Sequence, residues 1–435
     1  MVVVDIITGV LLCIVAALAA RSLLYSNRTQ TILYVLVLHG IYCGIPSLLD
    51  SVGLRPDYTQ YPGVRAAVSD DLTAVVYSGY VLLCPVLWWY CGRSHQCSSN
   101  PYGRHVMRLE KWRFFIAATL ELLLISPVVV ALFAPDKSVY LSYGAIMGPG
   151  VQVETILYHS FVNAASIGAV CAGSLILSLH GRTKWRDILI VFEMAIAVWL
   201  NNKRFIVALA VVLLFAVGWY RSSSRKGRVR NAALGLLVIA LSVAFNQYYQ
   251  LSLRPYAVID ADAVYNGLRG DYGRDRSIKV VIYRQLYPEV GSILEYPGQS
   301  IVFALAAFVP RNVWPSKPWP YYMYFTAAAF EVPIKDVRSG QTTSWLDESI
   351  ANMGWLGVLS GPLLIAWICK IADASQYPPF QVLTIAICSF MLSVSIDAWL
   401  IVVAMWIPLA VLLRVGARRR AGHRRRLVMN VARTG

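Results

Sequence analysis

Apolar runs of about 20 residues recur from one end of this chain to the other, each long enough for a helix to cross the hydrocarbon core of a bilayer. A bilayer holds no water to satisfy a stray backbone group, so only helices and closed barrels span it. Unbroken apolar runs lack the alternation of a barrel strand. The chain therefore reads as an all-α polytopic membrane protein. Its composition agrees, with 57% apolar and 14% charged residues, against about 25% charged in an ordinary soluble domain. Spans are expected near 2–20, 31–49, 72–92, 112–134, 157–179, 187–200, 205–220, 231–250, 352–370, 379–396 and 399–414, eleven in all. The sixth and seventh are short and share the turn Asn201-Asn202-Lys203-Arg204, so they read as a hairpin whose tip reaches only the membrane surface. The first run lacks a basic leader and a small-residue cleavage site, which marks it as a retained span.

Lys and Arg divide unevenly between the loops. One set (21–30, 93–111, 180–186, 221–230, 371–378 and the tail after 414), together with Arg113, Lys370 and Arg414, carries 24 of the 39 Lys and Arg. The opposite set carries the other 15, with 18 of the 23 Asp and Glu. The positive set is cytoplasmic by the Lys/Arg rule, which places the N-terminus outside and the C-terminus inside. Residues 1–250 then hold eight spans, 251–351 an outer loop domain, 352–414 three more spans and 415–435 a basic tail. The formal charge of +16 follows from this asymmetry. The tail arginines, Arg418 to Arg420 and Arg424 to Arg426, read as a topology determinant on anionic lipid, not as a nucleic-acid patch. The cytoplasmic loops carry no Gly-rich phosphate cradle, which argues against ATP-driven chemistry there. All eight cysteines fall in spans or near the cytoplasmic face, so no disulfide framework is expected, and their spacing fits no zinc site.

Within the outer domain, Phe308 to Pro320 holds four prolines, at 310, 315, 318 and 320. Each removes a backbone donor and fixes φ, and each pushes the preceding residue toward extended backbone. A stiff loop should result, presenting Arg311 and Lys317. The apolar piece Gln299 to Val309 is too short to span and reads as re-entrant or in-plane. Arg254, Arg269, Arg274, Arg276, Lys279 and Arg284 line the loop ahead of it, and Ser277 to Leu286 has the pattern of a short amphipathic helix. Arginine grips phosphate oxygens with paired hydrogen bonds and lysine acts as a point charge, so a convergence of such groups beside the membrane suits a lipid-linked diphosphate. The plainer reading is solvation, or pairing with Asp260, Asp262, Asp271 and Asp275. Asp347 and Glu348 precede a span, where one carboxylate serves as a helix cap or either as a proton acceptor. His159 is a candidate base. His39, Glu121 and Glu193, inside spans, read as hydrogen-bonded to neighbouring helices.

With these residues in view, the chain resembles the oligosaccharide repeat-unit polymerases of the O-antigen polymerase (Wzy) type. The resemblance rests on Pro310-Arg311, Trp314-Pro315, Lys317-Pro318, Thr342 to Ser344, Glu348, and Asn352 with Gly354 and Gly357. Arg204 matches a basic residue at a short outer turn, although Lys203 stands where the family has a small residue. The resemblance implies a GT-C-like glycosyltransferase related to the O-antigen ligases, in the cytoplasmic membrane of a bacterium. Its donor is a polyprenyl-diphosphate-linked glycan (undecaprenyl diphosphate) and its acceptor a second lipid-linked repeat unit, with a chain-length regulator as a candidate partner and no cofactor. Arg311, Arg204 and Arg276 then go to the diphosphate, with Lys279 and Arg284 lining the same site. Lys317 goes to the second phosphate or to loop support, and Glu348, Asp347 or His159 to the acceptor. Two alternatives stay open. One is a carrier of lipid-linked glycans. The other is a glycosyltransferase using a polyprenyl-monophosphate sugar, for which Asp70 or Asp71 is the critical acid.

Overall fold

The computed structural model describes residues 2–411 apart from 26–29, 93–101, 144, 148–150, 180–183, 223, 254–260, 308, 310, 312, 338–339 and 376. In chain order the helices are α1 (Val2–Tyr25), α2 (Thr31–His39), α3 (Ile45–Ser51), α4 (Pro62–Ser69), α5 (Asp71–Gly92), α6 (Tyr102–Leu132), α7 (Val153–Leu179), α8 (Lys184–Asn201), α9 (Arg204–Arg221) and α10 (Arg225–Leu253). Four short ones follow, α11 (Ala261–Tyr272), α12 (Asp275–Leu286), α13 (Gln299–Leu305) and α14 (Tyr321–Phe330). Then come α15 (Trp345–Met353), α16 (Gly357–Ser375), α17 (Pro378–Met391) and α18 (Ile396–Val411). The described residues hold no strand.

Six stretches are helical, long and apolar enough to cross a membrane: Val2–Tyr25, Thr31–Ser51, Asp71–Gly92, Phe115–Leu132, Tyr158–Leu179 and Trp345–Ser375. Three shorter apolar helices, Phe205–Arg221, Pro378–Met391 and Ile396–Val411, accompany them. This is the make-up of a polytopic helical membrane protein. Near the span expected at 352–370 the chain turns at Gly354, whose φ is 58°, and α15 folds back on α16, with the Ser349 hydroxyl donating to the Gly357 carbonyl at 3.0 Å. Asp347 and Glu348 lie in the first turn of α15, ahead of α16 as expected.

α1 lies antiparallel against α2 and α3, which a π-helical turn at Gly40–Gly44 joins. A Cβ on Gly40 would come 2.4 Å from that of Ala16, so the two backbones approach only because the glycine is there. α17 is buried from Pro379 to Met391 and forms the middle of the bundle. An apolar helix buried on all sides is the expected centre of such a core. Its hydroxyls donate back to its own carbonyls, Thr384 to Phe380 at 2.8 Å and Ser389 to Ile385 at 2.7 Å, and Thr384 also accepts from the Trp406 indole of α18 at 2.8 Å. The thiols of Cys369 and Cys388 share a hydrogen bond at 3.6 Å between α16 and α17, without a disulfide.

Polar contacts collect at the two ends of the bundle. At one end Thr31 and Gln381 bond Asp373, Arg221 bonds Asp187 and the Leu177 carbonyl, and Arg228 bonds the Leu23 carbonyl. At the other end lie Asp5, Asp50, the α8–α9 turn, α11 to α14 and the start of α15. That second end carries nearly all the candidate site residues.

Candidate functional site

The segment between α13 and α14 is irregular, as its prolines dictate. Arg311 donates from Nη1 to the Lys317 carbonyl at 2.7 Å and from Nη2 to the Pro318 carbonyl at 2.8 Å. Its guanidinium lies 3.5 Å from the centroid of the Trp319 ring. Lys317 folds back to donate to the carbonyls of Ala307 and Val309 at 3.1 and 3.0 Å. Two cations are thus fixed side by side, and among the described residues neither forms an ion pair. Desolvation holds both below their ordinary values, and for Lys317 the charge of Arg311 adds to it. Two of the five N–H donors of Arg311 hold the loop's own carbonyls, and three remain.

Both side chains line an open hollow of about 200 Å³ together with Glu295, Gln299, Trp319 and Tyr324. Gln299 organises it. Its Nε2 donates to Glu295 Oε2 at 3.0 Å and to the Tyr324 hydroxyl at 2.8 Å, and its Oε1 accepts from the Glu295 amide at 2.9 Å. The hollow thus holds a carboxylate and a phenol opposite two cations. The sequence reading passed over Glu295, Gln299 and Tyr324. The available signal was Glu295-Tyr296-Pro297-Gly298, a turn whose Gly298, at φ 78°, starts α13. Only a residue without a Cβ takes that conformation freely.

Of the two roles expected for Asp347 and Glu348, Asp347 takes the cap and Glu348 is drawn inside. Asp347 closes a capping box on α15, accepting from the Ser344 amide at 2.7 Å and from the Ser344 hydroxyl, and also from Ser277 of α12 at 3.0 Å. Glu348 is fully buried. It accepts from the Ser300 hydroxyl at 2.6 Å and from the Ile396 amide at 2.8 Å, while Asn352 donates to Ser300 Oγ at 2.7 Å. Glu348 therefore ties α13, α15 and the start of α18 together and has no contact with the hollow. Glu348→Gln offers an amide donor where a second acceptor is required. The expected result is a loss of about 1–3 kcal/mol, read as a lower melting temperature in detergent with activity per folded molecule retained. Wild-type stability combined with lost turnover would return Glu348 to the chemistry.

The loop arginines are drawn inward. Arg269 bonds Asp275 and Asp50, each at 2.7 Å, and Lys279 stands 3.8 Å from Asp50. Burial alone would raise Asp275, but the Arg269 guanidinium outweighs it and holds the carboxyl at about 2. Arg276 donates to the Gly270 carbonyl at 2.9 Å and to Thr342 at 3.1 Å. Arg284 donates to the carbonyls of Gly291 and Ala328, both at 3.1 Å. Arg274 reaches the Ser393 carbonyl at 2.9 Å. Lys279, Arg276 and Arg284, expected on a substrate-facing helix surface, thus brace α12 against its neighbours. A short helix buried between other helices presents no wet face, which periodicity alone cannot reveal.

His159 is buried, with Nδ1 3.4 Å from the Tyr140 hydroxyl. Arg204 opens α9, and its side chain lies outside the described residues, as do Arg254, Asp260, the side chains of Asp262 and Asp271, and the tail arginines. Burial pulls Lys203 below its ordinary value while Asp397 works against that, so the α8–α9 turn comes near the start of α18. Asp70 accepts from the Thr73 amide at 2.7 Å and from the Tyr287 hydroxyl at 3.0 Å, the geometry of a cap. Glu121 pairs with Arg186 at 3.0 Å.

The structure thus brings Arg311 and Lys317 together, while Arg276, Lys279, Arg284, Asp347 and Glu348 make bracing contacts elsewhere. Comparison of the chain with protein-family models, with curated proteins and with solved structures finds no match, so a functional reading stands on these side chains and their geometry.

Proposed function

We propose that this chain is a membrane glycosyltransferase that joins polyprenyl-diphosphate-linked oligosaccharide repeat units on the outer face of a bacterial cytoplasmic membrane. The observation that supports it is the Arg311–Lys317 pair, two adjacent cations with no acid paired to either among the described residues. Like charges held at close range are unfavourable until an anion joins them. Their backbone is set in advance, so little reorganisation is needed when it does. In this reading α8, α10 and the shorter apolar helices complete eleven spans in a GT-C-like arrangement, with the Arg311 end outside. A chain-length regulator is a fitting partner.

The chemistry asks little more. An acceptor hydroxyl oxygen attacks the anomeric carbon of the donor sugar, and the bond to the diphosphate breaks. The diphosphate leaves with the electron pair, and Arg311 and Lys317 stabilise the charge that builds on it. Glu295, in the same hollow, takes the hydroxyl proton. Holding two lipid-tethered substrates in one plane supplies much of the remaining rate.

The test is reconstitution of the chain in liposomes with polyprenyl-diphosphate-linked repeat units. A ladder of longer glycans, with one free polyprenyl diphosphate per bond formed, is the expected result. Movement of the lipid-linked glycan across the bilayer with no new bond would replace this reading with the carrier. Topology is checked separately. A reporter active only in the cytoplasm, fused after Arg284, should stay silent, and a strong signal would put the hollow on the wrong side.

A further inference from the structure

Tyr324 of α14 is only 6% exposed, yet it lines the hollow that holds Arg311 and Lys317. The hydrogen bonds around its hydroxyl run in one direction. Gln299 Oε1 accepts from the Glu295 backbone amide at 2.9 Å, and a backbone N–H can only donate. The other end of the Gln299 side chain is therefore its NH2 group, with two hydrogens. One goes to Glu295 Oε2 at 3.0 Å and the other to the Tyr324 hydroxyl oxygen at 2.8 Å. The Trp319 amide donates to that same oxygen at 3.3 Å.

The phenol oxygen thus accepts twice, and its own hydrogen has to point elsewhere. Among the described residues no acceptor receives it. A buried tyrosine O–H ordinarily has a partner. The direction left open is the hollow. Burial holds the phenol above its ordinary value, so the hydrogen stays in place. Gln299 also keeps Glu295 to its own side, and among the described residues Glu295 pairs with neither cation. Trp319 joins the two halves of the hollow. Its amide faces Tyr324, and its ring carries the Arg311 guanidinium at 3.5 Å. An unspent O–H is therefore fixed beside the three unspent donors of Arg311. A neutral donor suits this place, because it adds a hydrogen bond to an anion without adding to the repulsion between the cations.

We propose that Tyr324 is a substrate-binding residue, donating its hydroxyl hydrogen to a phosphoryl oxygen of the lipid-linked diphosphate held by Arg311 and Lys317, and that Gln299 positions it. The identity of the ligand rests on the polymerase reading. The direction of the hydrogen does not.

The full chain is placed in phosphatidylcholine nanodiscs, and farnesyl diphosphate is titrated while occupancy is read by native mass spectrometry. Tyr324→Phe should weaken binding by ~10-fold or more. That variant also takes an acceptor from Gln299 and Trp319, so a second measurement separates donation from support. Fluorotyrosine is placed at position 324 alone, at a pH where the phenol keeps its proton. Fluorine makes the O–H a stronger donor and the oxygen a weaker acceptor. Tighter binding of farnesyl diphosphate, with a melting temperature no higher than before, is the expected result. Weaker or unchanged binding by the fluorinated protein, or unchanged binding by Tyr324→Phe, overturns the proposal and leaves Tyr324 as a support for Gln299. Inorganic diphosphate bound as tightly as the farnesyl compound, with the same dependence on Tyr324, would overturn the lipid-linked source in favour of a free phosphate. Failure of the polymerase reading would appear elsewhere, as the absence of a ladder in liposomes while the fluorinated protein still binds farnesyl diphosphate more tightly.

Discussion

Arg269→Ala is expected to remove most of the protein from the membrane. Arg269 is buried and joins Asp50, at the end of α3, to Asp275, at the start of α12, with contacts of 2.7 Å to each. Its loss leaves two carboxylates in the interior with Lys279, at 3.8 Å from Asp50, the long contact of Arg55 and the charge of Arg276 to offset them. Removing one partner from a buried ion pair costs about 3–5 kcal/mol, because the other charge stays buried and uncompensated. A typical domain has only about 5–15 kcal/mol in all. Replacing the whole group is expected to be milder than replacing its centre. Arg269→Met and Lys279→Met with Asp50→Asn and Asp275→Asn should recover much of the lost protein, since neither the acids nor the buried ammonium beside them is then stranded. Immunoblots of membrane fractions and melting curves in detergent measure both variants. Wild-type abundance of the single variant would mean that α11 and α12 are anchored by their apolar contacts and not by this network.

The parts of this arrangement that sequence makes legible are the local ones. Apolar length reveals the long helices because each satisfies its backbone within itself. The turn at Asn201 to Arg204 and the helix at Asp275–Leu286 follow from spacing alone. The Asp347 cap is readable because its partner Ser344 is three residues away. Arg311 is readable for the same reason, since its carbonyl partners lie six and seven residues on. The roles that escaped depend on distant partners. Glu348 meets Ser300 and Ile396, each 48 residues away, and nothing in its neighbourhood announces either. Arg269 and Asp50 are separated by 219 residues. Glu295 reads as an ordinary loop acid until α13 and α14 bring Gln299 and Tyr324 beside it. Helix ends escaped likewise. α17 stops at Met391, and the carbonyl of Ser393 just beyond is taken by Arg274, a contact spanning 119 residues.

Arg311→Lys is expected to abolish most polymerisation while leaving the protein in place. Arginine at this position does two things at once. Two of its donors hold the Lys317 and Pro318 carbonyls, and its plane rests on Trp319, so the remaining donors point where the loop aims them. Lysine keeps the charge and can hold one carbonyl, but it has no planar fork to stack and no second, parallel donor for a phosphate oxygen. A charge-assisted hydrogen bond contributes about 1.5–3 kcal/mol. One that tightens as the diphosphate departs acts on turnover, so a fall of ~10–100-fold or more should follow. Arg311→Ala should be worse, because Lys317 then loses the carbonyl anchor that fixes its own backbone. Neither variant strands a buried charge, and the side chain is only half-buried, so abundance should stay near normal. If Arg311 is only a staple for its loop, the lysine variant should keep most of the ladder and only alanine should fail. Glycan length on gels from membranes, normalised to protein level, separates the two cases. A full-length ladder from Arg311→Lys at normal abundance would leave Lys317 as the only cation of the pair still assigned to the diphosphate. The preorganised guanidinium would then be architecture, and the leaving group would have to be met by a different residue.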